Sequence, residues 1–346
     1  FIPISAIKKV LLFNVFLKKL MRKYSYLIKK KIKGPIFSII TPFKVDGNID
    51  YLALKNYIKF LYVNGAKVFY IMFYNSRLGL LSEKEILNLN KFCIETVKKL
   101  DKQNIIICAE PYHCSTKQSI GYVKYFEKCG ADIVSLIFGE KFYNEKQIYD
   151  HFKTIHNKTK IFLLLHQQLI ENGISGNKPY VYYSIKLLSS IMNLKRFIAM
   201  KEDAKKDLYT KEICKKISKK AIIITSGVGK QQWMKANRHG CQSWLSGISN
   251  LNPKIAIDFY KFYNAQNQVK VMKYIKYLEK PFYRIVKKYG WHLTIKACLE
   301  LNKNFKRYER EPMIGLDNFH YKKIKKYLTK ISENSKKNLK KNYFRI

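Results

Sequence analysis

Eight apolar, β-rich runs recur along this chain with helix-period stretches between them, and that alternation narrows the fold more than any other feature. The runs are residues 36–43, 68–74, 105–108, 133–138, 161–165, 197–200, 221–225 and 243–248, with helical patterning over 51–63 and 83–100. Continuous rather than alternating apolar runs are what strands buried on both faces require. The pattern predicts an α/β architecture, a closed TIM (β/α)₈ barrel. An open doubly wound sheet is the alternative, but no GxGxxG follows the first run. From Pro253 onward the pattern turns wholly helical, including 290–301 and 318–331, which predicts a C-terminal helical appendage. The chain therefore divides into a basic and apolar N-terminal extension (1–33), the barrel (34–252), a helical region (253–331) and a basic tail (332–346).

Composition removes several function classes. The chain carries 67 Lys and Arg against 24 Asp and Glu, a formal charge of +43. A nucleic-acid-binding stripe concentrates such charge. Here the lysines are spread along the chain and accompany an excess of Ile, Asn, Tyr and Phe, residues with A- and T-rich codons. A base-composition bias accounts for all of these together, so no specific nucleic-acid partner is expected. The run 335–341 is the one local concentration, and it reads as a solvated tail. Seven cysteines (Cys93, Cys108, Cys114, Cys129, Cys214, Cys241, Cys298) form no CxxC pair, which points to a reducing cytoplasm. Histidine spacing offers no metal site; His151 and His156 read as ordinary helix residues. The apolar run 10–17 is too short to span a bilayer and no small-residue cleavage site follows it, so no membrane partner is expected. Residues 1–20 read as an over-extended reading frame ahead of Met21, with a membrane-surface or targeting segment as the lesser reading.

In such a barrel, chemistry sits at the C-terminal ends of the strands. The sixth run, Phe197-Ile198-Ala199-Met200, ends abruptly on Lys201-Glu202-Asp203. An amine held there against apolar walls can lose its proton and attack a carbonyl, giving a Schiff base. The first run ends at Thr41-Pro42-Phe43, and the second runs into Tyr74-Asn75-Ser76-Arg77, a polar cluster suited to an anion. The fifth ends on His166-Gln167-Gln168, the seventh on Ser226-Gly227-Val228-Gly229 and the eighth on Ser246-Gly247. Together they supply a nucleophilic lysine, a histidine able to shuttle protons and donors for a carboxylate. Each also has a structural reading: Lys201 paired with Glu202, His166 in the core, Arg77 paired with Glu83 or Glu85. The turn Gly227-Val228-Gly229-Lys230 lacks the Ser or Thr of a P-loop, because Gln231 follows the lysine.

With these landmarks in order, the sequence resembles the dihydrodipicolinate synthase / N-acetylneuraminate lyase family over roughly residues 34–331. Thr41-Pro42-Phe43 with Asp46-Gly47, Leu81-Ser82-Glu83-Lys84-Glu85, Gly130-Ala131-Asp132 and Tyr149-Asp150-His151-Phe152 carry the likeness. So do Lys201-Glu202 and the set Gly240, Ser246, Asn250 and Pro253. The resemblance implies a TIM barrel with a C-terminal helical domain, usually a homotetramer. It implies class I chemistry in which Lys201 condenses with pyruvate or a related 2-oxo acid, with no metal or organic cofactor.

The departures fall in the site. The family's carboxylate-cradling loop G-T/S-T-G-E lands on Phe73-Tyr74-Asn75-Ser76-Arg77. Its catalytic tyrosine lands on His166, and its paired tyrosines after strand 4 land on Gly139 and Glu140, with Tyr143 nearby. The expectation is a divergent class I lyase or aldolase: Lys201 forms the imine and His166 moves protons. Tyr74, Asn75, Ser76, Thr41 and Ser246 bind substrate, and Arg77 reads the second substrate. The runner-up is 4-hydroxy-tetrahydrodipicolinate synthase itself. The rival from another class is a barrel that has lost catalysis and survives as a binding protein.

Overall fold

The computed structural model describes residues 23–173, 178–204, 206–225 and 229–346. The readings placed on residues 1–20 and on Ser226-Gly227-Val228 lie outside the described residues. Helical residues 23–31 lead into eight strands: β1 (Gly34–Ser38), β2 (Val68–Tyr70), β3 (Ile105–Ala109), β4 (Ile133–Leu136), β5 (Phe162–Gln167), β6 (Phe197–Glu202), β7 (Ile222–Thr225) and β8 (Ser243–Leu245). They close into a parallel barrel in the order β1-β8-β7-β6-β5-β4-β3-β2. Every strand residue but Pro35 is buried, because the barrel interior fills one face of each strand and helices cover the other.

Seven helices cross between strands: α1 (Tyr51–Val63), α2 (Glu83–Leu100), α3 (Thr116–Cys129), α4 (Glu145–Lys158), α5 (Ile185–Met192), α6 (Asp207–Ile217) and α7 (Lys230–Asn237). Their starts are written locally. Ser82 with Glu85, Ser115 with Gln118 and Asn144 with Gln147 each form a reciprocal cap that satisfies orphan N–H groups of the first turn. Between β5 and α5 the chain forms a two-stranded antiparallel pair, Ile170–Glu171 with Tyr180–Val181.

After the barrel come α8 (Lys254–Asn264), α9 (Gln268–Tyr274), a π-helical turn (Ile275–Glu279), α10 (Lys280–Tyr289), α11 (Trp291–Leu301) and α12 (Asn318–Leu339). The last helix runs eight residues beyond the 318–331 expected from sequence. Its buried Ile324, Leu328, Ile331, Ser332 and Ser335 keep a packed stripe through the lysine-rich end, and Tyr343 and Phe344 beyond it are buried as well.

The apolar runs overshoot the strands in four places. The ladder of β1 ends at Ser38, that of β2 at Tyr70, that of β4 at Leu136 and that of β8 at Leu245, although Ile39, Ile40, Ile71, Met72, Ile137 and Ile248 are all buried. Hydrophobicity reports burial, and the barrel mouth buries loop residues too.

Candidate active site

Lys201 and His166 meet because of register. In the parallel pairing of β5 with β6 a shift between Leu163 and Leu164 leaves His166 directly opposite Lys201. Neighbours in register on adjacent strands point to the same face, here the barrel interior. Lys201 Nζ lies 2.8 Å from His166 Nε2. Both side chains are about 2% exposed. Asp203, two residues beyond Lys201 and so on the same side of the chain, pairs with the Lys201 ammonium and lies 3.0 Å from His166 Nε2. Glu202 faces the other way: its carboxylate accepts from Ala204 N and from the Thr210 hydroxyl of α6. The partner of Lys201 is thus Asp203 and His166, on the face that Glu202 leaves.

The electrostatics follow from burial. Desolvation, then the neighbouring Lys201 charge, lower the His166 pKa to about 4, against a smaller upward pull from Asp203. The imidazole is therefore neutral at pH 7. Burial pushes Asp203 up, but the Lys201 charge and the hydrogen bond with His166 outweigh it and hold the carboxyl well below its usual range. His166 Nε2 cannot accept from Lys201 and donate to Asp203 at once. The triangle therefore has two proton arrangements, one with the proton on Lys201 and one with it on His166.

These groups open onto a cavity of about 590 Å³ at the C-terminal ends of the strands. Its described lining includes Met72, Tyr74 and Asn75 after β2, Gln168 and Leu169 after β5, Leu245 and Gly247 at β8, and Tyr283, Val286 and Trp291 from α10 and α11. The residues expected from sequence divide accordingly. Lys201, His166, Tyr74 and Asn75 line the cavity. Thr41 and Ser76 instead tie loops together: the Thr41 hydroxyl donates to Ser76 O at 2.7 Å, and the Ser76 hydroxyl donates to Ile39 O at 2.6 Å. Ser246 donates to Asn250 Oδ1 at 2.7 Å. The Asn75 side chain reaches the cavity, but its amide is committed: Nδ2 donates to Ser38 Oγ and Oδ1 accepts from Trp291 Nε1, each at 2.9 Å. What the turn still offers is backbone, since the amides of Tyr74 and Asn75 make no backbone hydrogen bond among the described residues.

Arg77 requires a correction. Expected to read a second substrate, it is absent from the described cavity lining, and its Nη2 donates to Glu309 Oε1 at 2.9 Å. Glu309 also holds Lys296 Nζ, at 3.2 Å. The partner is neither Glu83 nor Glu85; Glu85 pairs with Arg310. Lys230 is likewise spoken for, 3.0 Å from Glu279 Oε2 in a nearly solvent-free pair. Gly229 before it has φ +98°, and a Cβ there would stand 2.2 Å from Glu279 Oε1. That close approach requires glycine.

Gly139, where a family tyrosine would stand, has no room for one: its Cβ would meet Tyr112 O at 1.9 Å. Glu140 is exposed, and Tyr143 packs instead against Gly173. Sequence reasoning gave no site role to Asp203, Gln168, Tyr283, Val286 or Trp291. Asp203 was recoverable from its two-residue spacing to Lys201. The helical residues carry no local signal, since only the folded chain brings α10 and α11 over the barrel mouth. Among the described residues no cluster of His, Cys, Asp or Glu could hold a metal ion, and no helix is long and apolar enough to cross a membrane.

The comparison with known proteins agrees with this architecture. The profile of the dihydrodipicolinate synthetase family matches residues 31–331. The 4-hydroxy-tetrahydrodipicolinate synthase of Anaplasma marginale (strain Florida) is 22% identical over 236 residues, covering 67% of this chain and 73% of that protein. The synthase of Staphylococcus epidermidis is 25% identical over 253 residues, 72% and 80% of the two chains. Among solved structures, the 4-hydroxy-tetrahydrodipicolinate synthase of Methylacidiphilum fumariolicum SolV superposes with a TM-score of 0.76 at 20% identity, over 91% of this chain and all of that one. The chloride-inhibited enzyme of Acinetobacter baumannii, solved in complex with pyruvate, gives 0.74 at 18% identity over 87% and 99%. The chain belongs to the dihydrodipicolinate synthetase family. Members of that family are lyases and synthases, and this chain is an enzyme of that type.

Proposed function

We propose that the chain is a class I lyase or aldolase that forms an imine between Lys201 and pyruvate or a related 2-oxo acid, then makes or breaks a carbon–carbon bond next to it. The observation that carries this reading is a lysine amine buried at the floor of a cavity with a neutral imidazole 2.8 Å away. In the proton arrangement with His166 charged, Lys201 is a neutral amine and the imidazolium is stabilised by Asp203. The amine attacks the ketone carbon. The resulting carbinolamine loses its hydroxyl as water, with His166 returning the proton. Neutral again, His166 then removes a proton from the carbon next to the imine, giving the enamine that bonds to an aldehyde. Run backwards, the same steps cleave the bond.

The donor's carboxylate belongs against the backbone amides of Tyr74 and Asn75, because the side chains of Asn75 and Ser76 are committed to the protein itself. The amide pair at the start of the turn supplies two donors without a cationic side chain. The names of the similar proteins favour the synthase of lysine biosynthesis. The histidine in place of the catalytic tyrosine and the altered strand-2 loop favour a different acceptor. We assign the enzyme to a reducing cytoplasm, since all seven cysteines are free, and to a homo-oligomer like others of its family.

The test is reduction with borohydride in the presence of pyruvate and a small panel of 2-oxo acids, followed by intact mass. A mass increase equal to the reduced adduct, absent in Lys201→Ala, is expected. Unchanged mass with every acid would sink the reading.

A further inference from the structure

The cavity is far larger than a three-carbon acid needs, and its volume is that of a site for a sizeable organic ligand. Resting on the Schiff-base reading, we propose that the aldehyde joined to, or released from, the 2-oxo acid is uncharged and carries an apolar, ring-sized substituent.

Three observations converge on this. The first is charge. Once Lys201 is an imine, Asp203 remains a carboxylate and the donor brings its own. Among the described lining residues no cation other than Lys201 is present, and Arg77 is committed to Glu309. With the imidazolium of His166 set against these two carboxylates the pocket still carries a net negative charge when the aldehyde adds, so an acceptor bearing a further carboxylate enters against like charge with no cation of its own to meet.

The second is the shortage of unspent polar groups. A polyhydroxylated sugar aldehyde needs an array of donors and acceptors, because each hydroxyl stripped of water must find a partner. Both ends of the Asn75 amide are used, and Trp291 Nε1 is used by Asn75. Gln168 leans on His166 at 3.4 Å. The hydroxyls of Tyr74 and Tyr283 are too few to hold a polyol.

The third is the wall itself. Met72, Leu169, Leu245, Tyr283, Val286 and Trp291 line the cavity. An indole and a phenol ring among aliphatic side chains favour a flat apolar group by area and by edge-to-face contact.

The chemistry closes without a further reagent. The enamine carbon forms the new bond to the aldehyde carbon. The aldehyde π pair moves onto oxygen, which takes a proton from protonated His166. Water hydrolyses the iminium, returning the Lys201 amine and releasing a 4-hydroxy-2-oxo acid when pyruvate is the donor.

The experiment incubates the full chain with pyruvate and, separately, benzaldehyde, succinate semialdehyde and erythrose. Product is followed by mass, and pyruvate adduct formation by borohydride in the same samples. We expect kcat/KM for benzaldehyde to exceed that for the carboxylated and polyol aldehydes by roughly 100-fold. We also expect Val286→Arg, which sets a cation in the wall, to narrow the gap toward succinate semialdehyde at least tenfold. Equal or better use of succinate semialdehyde or erythrose by the unaltered chain would overturn the proposal. So would a trapped pyruvate adduct with no aldehyde consumed, which would leave the Schiff-base reading standing. Absence of any pyruvate adduct would overturn both.

Discussion

Two buried lysines at the mouth of the same barrel have opposite fates. Lys230, at the start of α7, and Lys201, at the end of β6, are each about 1% exposed. Lys230 is enclosed by protein: Glu279 Oε2 stands at 3.0 Å and Ser249 Oγ at 3.3 Å, while the other Glu279 oxygen accepts from Gln231 N. Its whole environment fastens the π-helical turn to the barrel. Lys201 shares its carboxylate with a histidine and opens onto a cavity. Burial with a dedicated counter-ion makes Lys230 a structural clamp; burial with a shared proton beside a cavity gives Lys201 the surroundings that the proposed nucleophile needs. Lys296 lies between these cases. It pairs with Glu309, which Arg77 also occupies, and burial lowers its pKa to about 8 despite that partner.

Breaking the contrast should have graded consequences. The largest is Lys201→Ala, which we expect to lower turnover by at least about 1,000-fold while the protein stays folded, measured by product formation and circular dichroism. Next, Lys230→Met leaves Glu279 buried without its cation and should cost about 3–5 kcal/mol of stability in urea unfolding. Borohydride trapping at Lys201 should survive in the fraction that remains folded.

Acid sharpens the contrast further. His166 and His151 are held at about 4 and His292 at about 3, all chiefly by burial, against 6.5 for a free imidazole. Between those values the unfolded chain binds more protons, so stability rises with pH and falls as pH drops from 6.5 toward 4. Each fully buried histidine contributes up to about 3 kcal/mol to that loss. Urea midpoints measured from pH 7 to pH 4.5 should decline, and His166→Gln should flatten the slope.

Asp203→Asn should reduce turnover by about 10–100-fold. It should also move the acid limb of the pH–rate profile to lower pH, because the carboxylate is what raises the His166 pKa against burial and Lys201. A merely structural Asp203 would leave that limb in place. The smallest effect belongs to Lys296→Met. This change removes a costly buried cation yet leaves the Arg77–Glu309 pair intact, so stability should shift by no more than about 2 kcal/mol.

How far the sequence carries this account depends on the range of the interactions. The barrel was legible because burial on both strand faces writes itself into continuous apolar runs, and α1 and α2 span the residues their periodicity marks. That Lys201 and His166 stand at the barrel mouth was legible because strand ends in a barrel have a known place. The role of Arg77 was not: its partner Glu309 lies 232 residues away, and no local pattern reveals that pairing. Thr41, Ser76 and Ser246 look like ligand donors in sequence, but their hydroxyls are taken up within the mouth itself. The wall made by Tyr283, Val286 and Trp291 exists only once the C-terminal helices have docked.

Lys201, Lys230 and Lys296 are all buried, and we propose Lys201 alone among them as the nucleophile. Borohydride reduction with pyruvate, proteolysis and peptide mass mapping test it directly. We expect the reduced adduct on the peptide containing Lys201, with the peptides of Lys230 and Lys296 unmodified. An adduct on either of those lysines, or an adduct distributed over surface lysines without enrichment at Lys201, would contradict it.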